Sequence, residues 1–535
     1  SSDLERERER NECHSTMGMR VTALLCVLVL VLGLCVSACV AQGEGSVDPL
    51  RFYFNLIDQD GDAALQPEEL WAYIQGLMHD DDDQPSRSVV PDFLRRYDSN
   101  RDQQLTWAEF LDAFRSLGPP TSAPGSGLGN AQTLPQQIHI MLYGGSPDTA
   151  NIMWVTDEET PLSVVQLFRS ATGPVEKEVQ GQQYTYDVGI LGGWHKFIHL
   201  VQIRDLPADT PFFYRVGDGV DSWSLLYSFR TDVLPDQTHN AYPARWAVFG
   251  DQGTTIPLGF AVTDQIVQDH NQEPFSAIMV AGDLSYAGTG GGWEYEPVWD
   301  VYGRQMEKIA AYVPMITVVG NHESFYNYTA FRLRYRMPGY DMTGGEGNFW
   351  FSVNRGPVHF TAMSTEHDYS VGSPQYKFLE SDLAQAAANR AQRPWILLSG
   401  HRPMYCSDEF ENDQAQAGTH FQRTIEPLLQ KYQVDLAIWG HHHVYERTFP
   451  MNNGTADMVG VQGNEYHSPR YTVHVVQGTG GAVYPDKWVE RPAWSASRSI
   501  HYGYGHVQFA NATAMRYQFR KEEGRKVEDE FWIYK

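Results

Sequence analysis

Five short apolar runs between residues 246 and 439 each end at a glycine that precedes Asp, Asn or His. The runs are 246–249, 277–281, 315–319, 395–399 and 436–439, and the glycines are Gly250, Gly282, Gly320, Gly400 and Gly440. Apolar runs that alternate with helical segments are typical of strands in a sheet covered by helices on its faces. Because ligands bind beyond the carboxyl ends of such strands, we expect the five polar clusters to converge on one edge.

The polar clusters contain oxygen and nitrogen donors but no thiol. The candidate ligands are Asp251, Asp283, Tyr286, Asn321, His401, His441 and His443. This donor set suits two metal ions, and a carboxylate, for which Asp283 is the candidate, can bridge a pair about 3.5 to 4 Å apart. A phenolate such as that of Tyr286 favours Fe(III), whereas Asn321 with imidazoles suits divalent Zn, Mn or Fe.

The five blocks resemble the purple acid phosphatase family of metallophosphoesterases, whose pattern is GDxG, GDxxY, GNH(D/E), xxxH and GHxH. The resemblance covers roughly residues 135–535. It implies a ferric site of Asp251, Tyr286 and His443, a divalent site of Asn321, His401 and His441, and Asp283 as the bridge, with His442 not a ligand. It also implies an acid phosphatase that hydrolyses small phosphomonoesters by attack of a metal-bound hydroxide.

Two further residues are candidates for catalysis. By resemblance, His322 contacts the phosphoryl oxygens and protonates the leaving alkoxide, and a histidine that only supports the ligands is the alternative. Glu323 would orient His322. Plant members of the family carry a further histidine pair in the loop after the fourth block, whereas residues 402–409 of this chain read RPMYCSDE. That departure leaves the substrate preference open.

Two acidic loops near the beginning of the chain have the ligand spacing of EF-hands. The candidate calcium ligands are Asp58, Asp60, Asp62, Glu69, Asp98, Asn100, Asp102 and Glu109. Position 6, normally glycine, is Ala63 in the first loop and Gln103 in the second, and each would be strained at a positive φ. We therefore expect weak calcium binding, with dissociation constants of roughly 10⁻⁴ to 10⁻³ M. A vestigial helical pair is the alternative.

The predicted fold is multidomain. Its parts are an α-helical EF-hand pair at 50–117, a linker at 118–135, a fibronectin-III-like β-sandwich at 136–233, and an α/β metallophosphoesterase sandwich, with mixed sheets flanked by helices, at 243–450 with its C-terminal part at 451–535. Residues 1–16 have no apolar periodicity and are interpreted as a non-structural leader or translated upstream sequence.

Residues 17–41 have the pattern of a cleaved secretory signal, and an uncleaved signal-anchor helix is the alternative. Sequons at Asn327, Asn453 and Asn511 predict glycosylation on a secretory route. We expect a secreted protein that has no stable membrane association once the signal is cleaved. Vacuolar or lysosomal residence and membrane anchoring stay open.

Charge and cysteine content limit the partners. The net charge of -26 disfavours nucleic acid, because a polyanion is repelled. Cleavage after Ala41 leaves Cys406 alone, so an internal disulfide is excluded. Cys406 is interpreted as a buried small apolar side chain, and a thiol available for an intermolecular bridge is the alternative, which leaves a homodimer open. The functional alternatives are a phosphodiesterase or nucleotide pyrophosphatase on the same scaffold, and a catalytically silent calcium-dependent binding protein.

Overall fold

The computed structural model describes residues 60–77, 100–110, 131–142, 148–188, 194–254, 258–288, 294–338, 348–408, 419–482 and 488–535, with Phe54, Ile57, Asp58, Leu94 and Asp98. The predicted leader at 1–16, the signal at 17–41 and most of the linker at 118–135 lie outside these residues. Within these ranges, no helix is long and apolar enough to cross a membrane.

The predicted strands that precede the polar clusters belong to two sheets. Ala244–Phe249, Ala277–Val280 and Met315–Thr317 are parallel neighbours in a 12-stranded sheet. Trp395–Ser399 and Leu436–Trp439 are parallel neighbours in a 7-stranded sheet. The expectation of a single sheet edge was therefore wrong. Two edges meet instead, because the two sheets share one apolar core between them.

Side chains of Trp395–Ser399 show why these runs are apolar throughout. Leu397 belongs to the same core cluster as Val248 of the longer sheet. Leu398, which points to the opposite face, belongs to a second cluster with Leu383 and Ile425 of the covering helices. A strand buried on both faces has no polar side, so its sequence is continuously apolar rather than alternating.

The remaining elements complete these layers. In spatial order, the 12-stranded sheet contains Val461–Gln462, Glu465–His467, Val527–Tyr534, Ala514–Lys521, Gly503–Phe509, Ala244–Phe249, Ala277–Val280, Met315–Thr317, Gln136–Met141, Ala150–Thr156, Trp194–Ile203 and Gln182–Val188. The 7-stranded sheet contains Phe351–Arg355, Val358–Ala362, Trp395–Ser399, Leu436–Trp439, Val473–Gln477, Tyr445–Thr448 and Ser495–Ser499. Among the described residues, the α-helices with defined bounds are Pro67–Leu77, Leu258–Gln272, Glu296–Ala310, Phe325–Arg334, Pro374–Ala388 and His420–Lys431.

The predicted β-sandwich is present ahead of the α/β domain. Its smaller sheet has four strands, in the order Tyr227–Arg230, Pro211–Gly217, Val164–Phe168 and Val175–Gln180. This sheet shares a core with strands Gln136–Met141 and Ala150–Thr156. Those strands continue the 12-stranded sheet, because Met141 pairs in parallel with Met315. The larger sheet of the β-sandwich and the catalytic layer are therefore one continuous sheet.

Two short strands at the start of the chain complete the fold. Ala64–Leu65 and Leu105–Thr106 pair antiparallel, and Leu65 and Leu105 are fully buried. Such a pairing joins the two loops of an EF-hand pair, which confirms the predicted helical module. Met451–Asn452 and Thr455–Ala456 form a separate hairpin.

A buried ion network fastens the β-sandwich to the α/β domain. Arg334, at the end of its helix, donates hydrogen bonds to Glu296 at 3.0 Å, Asp300 at 3.2 Å and Gln137 at 3.1 Å. Trp194 of the β-sandwich donates to Asp300 at 2.7 Å. Burial opposes ionisation of Asp300, but nearby positive charges, above all that of Arg334, and the hydrogen bonds that the carboxylate accepts together outweigh it and lower the pKa of the carboxyl group.

We expect Arg334→Met to lower the free energy of unfolding by about 3 to 5 kcal/mol, because it leaves Glu296 and Asp300 buried without their cation. Arg230→Met is the matched control, since Arg230 pairs with Asp209 where both side chains are exposed, and it should cost below about 1 kcal/mol. Urea unfolding followed by tryptophan fluorescence measures both. Equal effects in the two variants would contradict a role for the network.

Candidate metal centre

Four of the predicted ligands have a backbone conformation that non-glycine residues rarely adopt. The φ angles are 56° for Asp251, 49° for Asp283, 57° for Tyr286 and 71° for His441. Each such residue costs of order 1 to 3 kcal/mol, and such strain is found mainly at functional sites. The strain turns the chain sharply off each strand, so that the side chains face the meeting point of the two sheets.

One half of the site contains Asp251, Tyr286 and His443. The Tyr286 hydroxyl lies 2.8 Å from Nε2 of His443 and 3.3 Å from Oδ1 of Asp251. The His443 Nε2 atom is 3.6 Å from the same carboxylate oxygen. The backbone N–H of His441 donates to both Asp251 oxygens, at 2.9 and 2.8 Å. These three predicted ferric ligands therefore converge on one point.

The other half contains Asp283, Asn321, His401 and His441. His401 Nε2 lies 3.0 Å from Oδ2 of Asp283 and 3.0 Å from Oδ1 of Asn321. Ligand atoms of Asp283, His401 and His441 all lie within 4.8 Å of one another. His401 Nδ1 donates to the carbonyl of Ala281 at 2.8 Å, which leaves Nε2 unprotonated in the neutral ring. The structure thus brings all seven predicted ligands together in two adjoining groups.

The glycines of the sequence blocks make room for these donors. A Cβ atom on Gly282 would lie 2.6 Å from Nδ1 of His401, and one on Gly440 would lie 2.5 Å from Oδ2 of Asp251. A Cβ atom on Gly320 would lie 2.1 Å from Oδ1 of Asp283. Any side chain at these positions would displace a ligand. The glycine of each of these blocks is therefore a requirement of the site.

Burial and charge explain the ionisation of the site. Burial alone would raise the pKa of Asp283, but the positive charges of His401 and His322 outweigh it and hold that pKa well below its ordinary value. Burial lowers the pKa of His401, but Asp283 and Asp251 outweigh it and raise that pKa to about 10. For Asp251, burial prevails over His401 and raises the pKa. Two buried carboxylates this close together require cationic partners.

The donor set fits a metal pair. Asp251 and Asp283 are at most 1% exposed, and they meet imidazole, phenol and amide donors rather than apolar side chains. Carboxylate, phenolate and amide oxygens with neutral imidazoles are the ligands of hard and borderline metal ions such as Fe(III), Zn and Mn. Bound cations would also supply the positive charge that the buried carboxylates need.

Glu323 does not orient His322 as predicted. Its carboxylate instead accepts hydrogen bonds from the backbone N–H groups of Asp283 at 2.9 Å, Leu284 at 2.8 Å and Gly320 at 2.8 Å. Burial and the charge of Asp283 raise the pKa of Glu323 to about 8, although these donors act against the rise. Glu323 is therefore a positioning residue for the loop that carries Asp283.

The carbonyl of Gly288 orients His322 in place of Glu323. His322 Nδ1 lies 2.9 Å from this oxygen, and a carbonyl can only accept, so Nδ1 carries a proton. The other ring nitrogen, Nε2, is 4.0 Å from Oδ2 of Asp283. The side chain is 20% exposed, so His322 lies at the solvent side of the buried ligands.

Sequence reasoning missed two pairs beside the ligands. Arg402 contacts Glu366 at 2.9 Å and Nε2 of His441 at 2.9 Å. His442, which was not predicted as a ligand, contacts Asp408 through Nδ1 at 2.5 Å. Glu366 and Arg402 are 36 positions apart, and no spacing pattern links them.

The two acidic loops have one hydrogen-bonding pattern. Asp58 accepts from the N–H groups of Gly61 at 2.8 Å and Ala63 at 3.1 Å. Asp98 accepts from Arg101 and Gln103, the corresponding residues of the second loop, at 2.5 and 2.8 Å. Asp60 accepts from the N–H of Asp62 at 3.1 Å, and Asn100 accepts from the N–H of Asp102 at 2.8 Å.

Glu69 and Glu109 close the loops at position 12. Glu69 accepts from the N–H of Gln66 at 3.0 Å, and Glu109 accepts from that of Thr106 at 3.1 Å. Position 6 is left-handed in both loops, with φ of 69° at Ala63 and 66° at Gln103. The predicted strain is therefore present.

The sequon residues Asn327, Asn453 and Asn511 are all exposed, and Thr513 donates to the side chain of Asn511 through its N–H at 2.8 Å. Exposure is what glycosylation requires, and the modification itself stays a prediction.

Family models match most of the chain. Residues 244–445 match calcineurin-like phosphoesterase, residues 135–231 match the purple acid phosphatase N-terminal domain, and residues 471–530 match iron/zinc purple acid phosphatase-like protein C. Residues 48–115 match the EF-hand domain pair.

Curated relatives and a solved structure are similar over the same region. Acid phosphatase type 7 of Homo sapiens is 33% identical over 446 residues, which are 78% of this chain and 92% of the human protein. Purple acid phosphatase 18 of Arabidopsis thaliana is 29% identical over 419 residues, which are 75% of this chain and 85% of the plant protein. Two other Arabidopsis relatives carry the word inactive in their names.

The solved structure of purple acid phosphatase PPD1 from yellow lupin (Lupinus luteus) seeds has a TM-score of 0.66 and 24% identity, with 75% of this chain and 74% of the lupin chain covered. This likeness shows the shared fold. The family models and the human relative go further, and the chain belongs to the purple acid phosphatase family of metallophosphoesterase enzymes, with an EF-hand pair ahead of the family's own domains.

Proposed function

We propose that this protein is an acid phosphatase that hydrolyses small phosphomonoesters at a dinuclear Fe(III)–M(II) centre, where M is Zn, Mn or Fe. The observation that carries the proposal is the convergence of all seven predicted ligands, four of them on strained backbone. Strain of this kind persists only where the surrounding structure enforces it.

Each metal ion would have its own ligands. Asp251, Tyr286 and His443 would hold Fe(III), because the phenol and the carboxylate are the hardest donors of the site. Asn321, His401 and His441 would hold the divalent ion, and Asp283 would bridge the pair. When bound, the metal pair supplies Lewis acidity and a water molecule of lowered pKa as the nucleophile.

His322 would serve the leaving group. The Gly288 carbonyl keeps the proton on Nδ1, so Nε2 is the nitrogen that gains and loses a proton at the solvent side of the site. In its protonated form, Nε2 can donate to the leaving alkoxide as a general acid.

The proposed calcium binding and the proposed cellular location depend on other parts of the chain. Calcium would bind in the two acidic loops, weakly because of position 6. Secretion with cleavage of residues 17–41 and glycosylation at Asn327, Asn453 and Asn511 are supported by the leader pattern and by the exposure of the three asparagines. Small phosphomonoesters would be the substrates, and a homodimer stays open.

We expect Asp283→Asn to lower the turnover of a nitrophenyl phosphomonoester by at least about a hundredfold. Mutation of a residue that only hydrogen-bonds to a metal ligand already lowers metal affinity or activity about 10- to 100-fold. Asparagine tolerates a left-handed backbone, so folding should be preserved. Asp205→Asn is the control, because Asp205 is exposed and has a φ of 57°. Initial rates of the metal-loaded, secreted protein measure the effect.

Three outcomes would contradict the proposed function. Full activity in Asp283→Asn would remove the bridging carboxylate from the reaction. A wild-type rate on the matching diester equal to or above that on the monoester would instead favour a diesterase, and no turnover of either ester would favour a binding protein.

We expect Glu323→Gln to weaken metal binding about 10- to 100-fold, as loss of an outer ligand partner does. The amide has one acceptor oxygen for three backbone donors, and its NH₂ group would face one of them. Competition with a chelator measures the metal affinity, and Glu380→Gln, on an exposed side chain, is the control. Unchanged affinity in Glu323→Gln would contradict its positioning role.

We expect Ala63→Gly and Gln103→Gly each to tighten calcium binding about fivefold or more, because glycine relieves roughly 1 kcal/mol of left-handed strain. Ala64→Gly, in the adjoining strand, should bring no gain. Calorimetric titration of the full chain with calcium measures all three variants. No gain in either loop variant would mean that the loops do not close around the ion.

A further inference from the structure

Arg402 lies beside the predicted ligands but has no role in the proposed reaction so far. It directly follows His401, at the beginning of the loop where this chain departs from the plant pattern. Its side chain is 24% exposed, whereas His401 is fully buried and His441 is 8% exposed. Arg402 therefore places a positive charge at the solvent side of the metal ligands, where a substrate would enter.

The guanidinium group is held in place on one edge. Its Nε donates to both oxygens of Glu366, at 2.9 and 3.2 Å. The Thr365 hydroxyl donates to Glu366 at 2.9 Å and accepts from the backbone N–H of Arg402 at 2.9 Å. A side chain fixed in this way loses little conformational entropy when it binds a ligand.

The other edge points at a predicted ligand. Nη1 of Arg402 donates to Nε2 of His441 at 2.9 Å, so this nitrogen carries no proton. In a neutral imidazole that binds a metal ion, one nitrogen bears the metal and the other bears a proton. Neither nitrogen can then accept a hydrogen bond. His441 therefore cannot accept from Arg402 while it serves as a metal ligand, so the contact between the two side chains must change when the metal binds.

We propose that Arg402 binds a terminal phosphoryl oxygen of the substrate and gives the enzyme its preference for monoesters over diesters. A monoester carries two negative charges near neutral pH and a diester carries one, so a fixed cation favours the monoester. The planar guanidinium fork matches phosphate geometry better than an ammonium group does. Glu366 is the positioning residue. The proposal rests on the proposed function and names the residue that selects the substrate class.

The test compares Arg402→Gln with Arg402→Lys in the metal-loaded full chain. For Arg402→Gln, we expect the KM of a nitrophenyl monoester to rise about 10- to 100-fold, the value of a charge-assisted hydrogen bond, with the KM of the matching diester changed less than about threefold. Arg402→Lys should fall between wild type and Arg402→Gln. Arg230→Gln, which removes an exposed arginine far along the chain, should change neither KM.

A binding measurement separates this role from a structural one. Calorimetric titration with inorganic phosphate should show an affinity about 10- to 100-fold weaker in Arg402→Gln, at unchanged metal content. Equal loss of kcat on both esters together with lost metal would mean that Arg402 only orients His441, and would overturn the proposal. Unchanged phosphate affinity would overturn it as well.

The two proposals fail in distinguishable ways. If the wild-type enzyme turns over neither ester, the proposed function fails, whereas the phosphate titration still reports on Arg402. If the wild-type enzyme prefers the monoester and Arg402→Gln keeps the same preference, the proposed function stands and the role of Arg402 is refuted.

Discussion

The contact between Asp283 and His401 joins the two sheets at the site. Asp283 follows a strand of the longer sheet and His401 follows a strand of the shorter one, and their side chains meet at 3.0 Å with almost no exposure to water. Such a pair is favourable only when its geometry is held and its remaining lone pairs are satisfied. The apolar core between the sheets holds the geometry. Glu323 holds the Asp283 loop through two backbone hydrogen bonds and its own loop through a third, from Gly320. A bound metal pair would complete the charge balance.

This arrangement requires unfavourable backbone conformations at several ligand positions. Left-handed residues at Asp251, Asp283, Tyr286 and His441 are unfavourable by themselves. Hydrogen bonds between the loops offset part of this cost. The N–H of Asp251 donates to the carbonyl of Gly282 at 3.1 Å, which continues the backbone hydrogen bonding of the two strands that precede these residues. The ladder of the sheet is thus extended into the site, which lets strained residues remain ordered there.

Much of this could be predicted from the sequence because the relevant signals are local. Apolar runs ending at Gly-Asp, Gly-Asn or Gly-His indicate both the strands and their ligands, and the EF-hand spacing predicted the strain at Ala63 and Gln103 that the structure shows. What could not be predicted depends on contacts between distant segments. Periodicity does not reveal which of two sheets a doubly buried strand joins, or that Glu366 would meet Arg402. The role of Glu323 was missed for a related reason, since backbone N–H groups leave no trace in a sequence.

The β-sandwich contributes to the site through the helical segment Phe325–Arg334, which is interrupted near its beginning by left-handed residues at Tyr326, Asn327 and Tyr328. This helix begins two residues after Glu323, and its last residue, Arg334, is bound to Gln137 of the β-sandwich. Tyr184 of the same β-sandwich donates to the carbonyl of Leu333. The far end of the segment that carries Asn321 and His322 is therefore anchored in the β-sandwich. Its near end is anchored in the sheet by Met315, whose strand pairs with that of Met141. Because the β-sandwich holds this segment at both ends, it fixes the position of His322 relative to Asp283. The sheet that the two domains share therefore contributes to the geometry of the site.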